Sequence, residues 1–210
     1  MARYDNEHKE ETRRRIVESA GRRLKRDGID GSGIAALMTD AGLTNGAFYA
    51  HFASKEHLVA SVVQEELRLQ ALSLGALAPG VAGVEQLIRI YLSPEHRDHS
   101  EVGCPSAALL DEIARSAEVT KDAYTVGTKV LVEEIAARLA PDEPASARGK
   151  ALILFTMIVG TLQLARAVSD PALSDEAMAH GLDHALAFLG DADRLINSSL
   201  NPITSSGDTP

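Results

Sequence analysis

The sequence has no tryptophan, a single cysteine, and only four phenylalanines and four tyrosines in 210 residues. One cysteine excludes an intrachain disulfide and suits a reducing compartment. With aromatics at 4% and hydrophobic residues at 45%, the core must be built from Leu, Ile, Val and Ala. Alanine and leucine lose little freedom in a helix, so this composition favours packed helices over sheets. No segment alternates with period 2, and there is no internal repeat. The most apolar stretch, 150–166, is interrupted by Thr156, Gly160, Thr161 and Gln163, and a span needs roughly 20 mostly apolar residues. The opening MARYDNEHKEETRRR has no apolar run, so no secretory signal is expected. The expectation is a soluble, cytoplasmic protein with no membrane partner. No Gly-rich phosphate cradle is present, and no cofactor is expected.

What is present is an uneven charge. The formal net charge is −9, yet residues 1–57 carry ten Lys and Arg against nine Asp and Glu. An acidic body with a locally basic head argues against generic polyanion binding and directs attention to an anion site near the N-terminus.

Helical periodicity runs the length of the chain. Residues 8–27 place Ile16, Val17, Ala20 and Leu24 on one face with arginines off it, and Gly28 stops that helix. Ile34, Leu37, Met38 and Ala41 form a short second helix with Ser32 as its expected cap, ended by Gly42. A third, from Thr44 to Phe52, sets Phe48 and Phe52 four apart. Ser54 caps a long fourth whose Val59, Val63, Leu67 and Leu74 share a stripe. Helices at 83–92, 105–116, 119–139 and 145–168 follow, with 93–103 a polar connection, and Ser174 is expected to cap the last. The tail 198–210 has no periodicity and is expected to be disordered. The fold class is all-α, with about nine helices: an N-terminal three-helix unit at 8–57 and a larger helical unit at 58–197.

Two short helices joined by a glycine, after a basic helix and before a long one, make a helix-turn-helix. The helix that enters a major groove needs small or polar leading residues and an apolar buried face. Thr44, Asn45, Gly46 and Ala47 meet the first need, Phe48 and Phe52 the second. Tyr49, His51 and Lys55 offer donors at the helix end for phosphate oxygens; the alternatives are a core-edge Tyr49, a His51 that only packs beside the turn and a solvated Lys55. Ser32 either bonds a phosphate or caps its helix.

The combination of Ala20, Leu24, Gly28, Ile34, Leu37, Ala41 and Gly42 with the run LTNGAFYAHFASKEHL resembles the TetR family of transcriptional regulators. The resemblance implies a DNA-binding head on double-stranded DNA with a near-palindromic operator. It also implies a regulatory body that dimerises through its last two long helices, and release by a small-molecule inducer. Many relatives carry Lys where this chain has Asn45. That removes one phosphate contact and leaves Asn45 either a reader of adenine or a solvent-facing residue.

In the body, the run LILFTMIV at 152–159 is apolar around its whole circumference and must be covered on several sides. Ala177, Gly181 and Ala185 form a small-residue ridge on the last helix. Both features suit a homodimer interface, or else an internal core. Cys104 precedes Pro105, which places it at a helix N-cap where free amides favour a thiolate. The segment GCPSAALLDEIAR resembles a TetR branch in which some members sense electrophiles or oxidants. A lone buried cysteine is otherwise a packing residue. His96, His99 and Cys104 form only part of a metal set, so no metal site is expected. A Cys-dependent enzyme with His96 or His99 as base is the rival reading, and a non-DNA-binding interaction protein a third. No catalytic residue is assigned.

Overall fold

The computed structural model describes the backbone of residues 2–199 and the side chains of residues 7–190. Among these residues there is no strand. The chain forms α1 (Ala2–Asp27), α2 (Ile34–Asp40), a 3₁₀ turn (Asn45–Ala50), α3 (Lys55–Gly75), α4 (Val81–Tyr91) and α5 (Pro94–Asp98). A second 3₁₀ turn (Ser100–Val102), α6 (Pro105–Arg115), α7 (Glu118–Leu139), α8 (Pro144–Ala167) and α9 (Pro171–Ser199) follow.

The head is built on an apolar centre in which Ile16, Leu24, Leu37, Phe48 and Leu58 are fully buried. Two glycines set its turns. Gly28 and Gly42 both have positive φ, 81° and 69°, a region that other residues enter at a cost. After α2 the Leu43 amide reaches back to the Met38 carbonyl at 2.9 Å, which closes the helix in the left-handed C-terminal motif. In the body, α7 lies between α3 and α8, and α8 packs on α9. Gly127 permits the first contact, since a Cβ there would come within 2.5 Å of the Leu67 side chain.

Several local expectations are corrected. Helix α1 begins at Ala2 rather than residue 8, because its first turns lack apolar periodicity but contain neither Gly nor Pro. Ser32 does not cap α2. Gly33 takes that position, and the fully buried Ser32 hydroxyl donates to the Gly28 carbonyl at 2.7 Å. The Thr44–Phe52 helix is a 3₁₀ turn of six residues. The polar connection 93–103 folds into α5 and a 3₁₀ turn, started by the Ser93 hydroxyl, which accepts from the His96 amide at 3.2 Å. Ser174 lies inside α9, where its hydroxyl donates to the Ala165 carbonyl at 2.7 Å. The Asp170 carboxylate instead accepts from the Ala172 amide at 2.9 Å. Helix α9 runs through Ser199, which corrects the start of the expected tail at residue 198; its residues 200–210 lie outside the described residues.

Helix α8 is long and apolar enough to cross a membrane by length and composition. Here it packs between α7 and α9, burying Leu154, Phe155, Ile158 and Leu162.

Candidate DNA-binding face and ligand cavity

The Asn45–Ala50 turn separates its residues by side. Phe48 is fully buried and stacks on Phe52 with ring centres 5.8 Å apart. Thr44, Asn45 and Gly46 are exposed, Ala47 is half-buried, and Tyr49 is 70% exposed. Those residues form one open surface at the end of the head. His51 is half-buried at the turn's C-terminal end, and its Nδ1 is enclosed without a hydrogen-bond partner. Burial, then the charges of Lys9 and Arg13, lower its basicity, so the ring is held toward its neutral form.

Other predicted contacts are differently occupied. The Lys55 ammonium donates to the Ile29 carbonyl at 2.5 Å, closing the turn between α1 and α2. Ser32 is sealed beneath the same turn. Ser32 therefore offers no free donor to solvent, which corrects its phosphate reading, whereas half-buried Lys55 keeps two further N–H donors. Arg13, by contrast, is no solvated arginine. It donates to the His51 carbonyl at 2.9 Å and the Ser61 hydroxyl at 2.8 Å, and lies 4.2 Å over the Phe52 ring. The sequence signal for it was weak, because a run of three arginines does not say which one faces inward.

In the body, a cavity of about 350 Å³ is walled by Leu74, Leu87, Leu131, Ile135, Phe155 and Ile158, with Gln70, Tyr91, His96 and Cys104 at one side. Cys104 occupies the N-cap of α6, as expected, but is only 1% exposed. Its Sγ donates to Gln70 Oε1 at 3.3 Å and makes no capping bond to the α6 amides. The expected contact between the sulfur and free helix amides is therefore not made, and the side chain is buried instead.

His96 does not serve that thiol as a base. Its Nε2 accepts from the Cys104 backbone amide at 3.0 Å, which leaves the proton on Nδ1, donated to the Tyr91 carbonyl at 2.8 Å. Burial lowers its basicity, and Arg166 and Lys25 act in the same direction against the Tyr91 bond. His99 is half-exposed and faces Glu101 at 3.5 Å. Among the described residues no three His, Cys, Asp or Glu side chains converge as metal ligands.

The loop that carries Cys104 is fastened on both sides. Arg166 of α8 donates to the carbonyls of His96 and Arg97. From the other side Lys25 of α1, with 3% of its side chain exposed, donates to the Gly103 carbonyl at 3.0 Å and to Glu66 at 2.7 Å. A second link joins the same parts. Glu112 of α6 accepts from the Ile29 and Asp30 amides at 2.6 and 3.0 Å. The cavity wall and the head thus share a bonded joint. Sequence reading missed Lys25 and Glu112, because nothing local distinguishes them from solvated helix charges.

Residues 16–62 match the family model of bacterial regulatory proteins of the tetR family. No curated protein matches the chain. Among solved structures, the chain is similar to reduced NemR from Escherichia coli, with TM-score 0.70, 17% identity, and 83% of this chain and 95% of that one covered. It also resembles a TetR-family regulator from Agrobacterium tumefaciens, with TM-score 0.68, 19% identity, and coverage of 84% and 98%. A third likeness is Bacillus subtilis FadR in complex with stearoyl-CoA, with TM-score 0.58, 15% identity, and coverage of 80% and 96%. At these identities the structural likenesses establish the fold. The family model places the helix-turn-helix head, residues 16–62, among the bacterial regulatory proteins of the tetR family, and the whole chain shares the fold of solved TetR-family regulators.

Proposed function

We propose that the protein is a cytoplasmic transcriptional repressor. It binds a near-palindromic operator on double-stranded DNA as a homodimer and is released by a small-molecule inducer. The reading head is residues 8–57, and residues 58–197 form the ligand-binding and dimerisation unit. Thr44, Asn45, Gly46 and Ala47 enter the major groove, with Asn45 reading a base, while Tyr49 and His51 meet flanking phosphates. Lys55 offers its remaining donors to a flanking phosphate, and Ser32 supports that face from beneath.

The observation that carries the reading is the Lys25–Gly103 bond. It joins the wall of the apolar cavity to the helix that carries the head. A ligand that displaces the Gly103–Cys104 loop shifts α1, and a small change in head separation across a dimer abolishes simultaneous docking in two half-sites. The cavity favours an apolar inducer. Cys104 in its wall gives an electrophile a point of attachment once it has entered.

The dimer face is supported by α8. Leu152 and Ile153 are each 49% exposed and Leu164 is 54% exposed on a helix whose apolar side chains Leu154, Phe155, Ile158 and Leu162 are buried against its neighbours α7 and α9. A second copy would cover them in an isologous contact.

The test is gel retardation of the DNA upstream of its own coding sequence, before and after treatment with a small alkylating electrophile. Wild type should bind and then release, and Cys104→Ser should bind and stay. Absence of any shift would overturn DNA recognition. Equal release of both proteins would leave Cys104 a packing residue.

A further inference from the structure

Nine cationic side chains of the head are described, from Lys9 to Lys55, and seven of them are committed within the protein. Arg13 holds His51 and Ser61. Arg14 and Arg22 pair with Glu11 and Glu18. Arg23 bridges Asp27 and Asp40, and Arg26 pairs with Asp27. Lys25 is buried on Glu66, and half-buried Lys55 donates to the Ile29 carbonyl. Among the described residues of the head, only Lys9 and Arg15 have neither an ion pair nor a hydrogen bond from their side chains.

These two are not scattered. Both line one open cleft between α1 and the Asn45–Ala50 turn, together with His8, Thr12, Ala47 and His51. His8, Thr12 and Arg15 fall at i, i+4 and i+7 on one helical face with Lys9 beside it. No acidic side chain lines the cleft. Lys9 and Arg15 are exposed, and six residues of helix separate them by about 9 Å along the axis, too far to serve a single phosphate group. The cleft is continuous with the exposed Thr44–Tyr49 surface through Ala47.

We propose that this cleft is a second phosphate-binding element of the head, in which Lys9 and Arg15 of α1 hold successive phosphates of one DNA strand beside the groove that Thr44–Ala47 enters. The proposal rests on the DNA-binding reading and extends the footprint to α1. The occupant is a phosphodiester backbone, because two unpaired cations in a cleft that no carboxylate lines match a line of anions and read no bases. Thr12 is buried and lines the cleft. His51, held toward neutrality by burial and by Lys9 and Arg13, adds a donor at the turn side.

The experiment measures affinity for a fluorescein-labelled duplex of arbitrary mixed sequence by anisotropy across a salt series. It compares wild type, Lys9→Ala, Arg15→Ala, the double variant, and Lys129→Ala on the acidic body as control. Each head substitution should lower the log–log salt slope by about 0.9 for every phosphate left without its cation. The two reductions should add, and Lys9→Arg should keep the wild-type slope. Lys129→Ala should leave the slope unchanged. Wild-type slopes in Lys9→Ala and Arg15→Ala, with wild type binding the duplex, would overturn the cleft proposal alone. A wild-type protein that binds no duplex at any salt would overturn DNA binding itself.

Discussion

Replacing Lys25 tests the joint between cavity and head. Its ammonium makes two charge-assisted hydrogen bonds, to Glu66 and to the Gly103 carbonyl, with 3% of its side chain and 18% of that of Glu66 exposed. Hydrogen bonds to charged groups are worth about 1.5–3 kcal/mol each, and breaking a buried pair from one side costs about 3–5 kcal/mol. Lys25→Ala should therefore lose about 3 kcal/mol in urea unfolding, followed by circular dichroism because the chain has no tryptophan. Lys25→Met with Glu66→Gln should recover most of that loss, since no buried charge is left unpaired. Operator binding separates the structural role from the transmitting one. The recovered double variant should still bind DNA but respond weakly to any compound that fills the cavity. A loss below about 1 kcal/mol in Lys25→Ala would refute the energetic argument, and a full inducer response in the double variant would refute transmission through this bond.

Three further outcomes are expected. Asn45→Ala should change preference at one operator position by about 1–3 kcal/mol, whereas Tyr49→Phe should weaken all sequences alike; unchanged relative affinities for single-base variants would remove Asn45 as a reader. Gly181→Leu should destabilise the protomer itself, because a Cβ there meets Thr161 of α8 at 2.3 Å, while Leu164→Glu should dissociate the dimer without unfolding it. Sedimentation with parallel melting would distinguish the two, and a stable monomeric Gly181→Leu would contradict this assignment. Finally, His51 and His96 are both less basic than the ordinary value near 6.5, so the unfolded chain binds protons that the folded one refuses. Stability should be fully present above about pH 6.5 and fall below it toward the folded values, with a slope of at most about 1.4 kcal/mol per pH unit for each histidine. His96→Asn should flatten the fall, and an unchanged acid profile would show that His96 is not responsible.

Periodicity and punctuation in the sequence determined the helical class, the order of the helices and the reading turn. Apolar spacing along α1, α3 and α7 must be buried wherever those helices pack, and Gly28 and Gly42 enforce their stops through backbone sterics alone. These are local causes, carried by neighbours within a few residues, so the chain displays them without being folded. The side on which Thr44, Asn45 and Tyr49 open to solvent was legible for the same reason, since Phe48 and Phe52 must turn inward. What only the tertiary structure decided is how polar groups are matched. Ser32 looked like a phosphate ligand until the α1–α2 turn enclosed its hydroxyl, and Cys104 looked like a capped thiolate until Gln70 met its sulfur. Gly181 read as a dimer contact until Thr161 of the same chain filled its place. The joint from Lys25 to Gly103 spans 78 positions, and that from Glu112 to Ile29 spans 83. A buried donor takes whichever acceptor packing brings within 3 Å, and that choice is made by the meeting of helices rather than by the residues beside it.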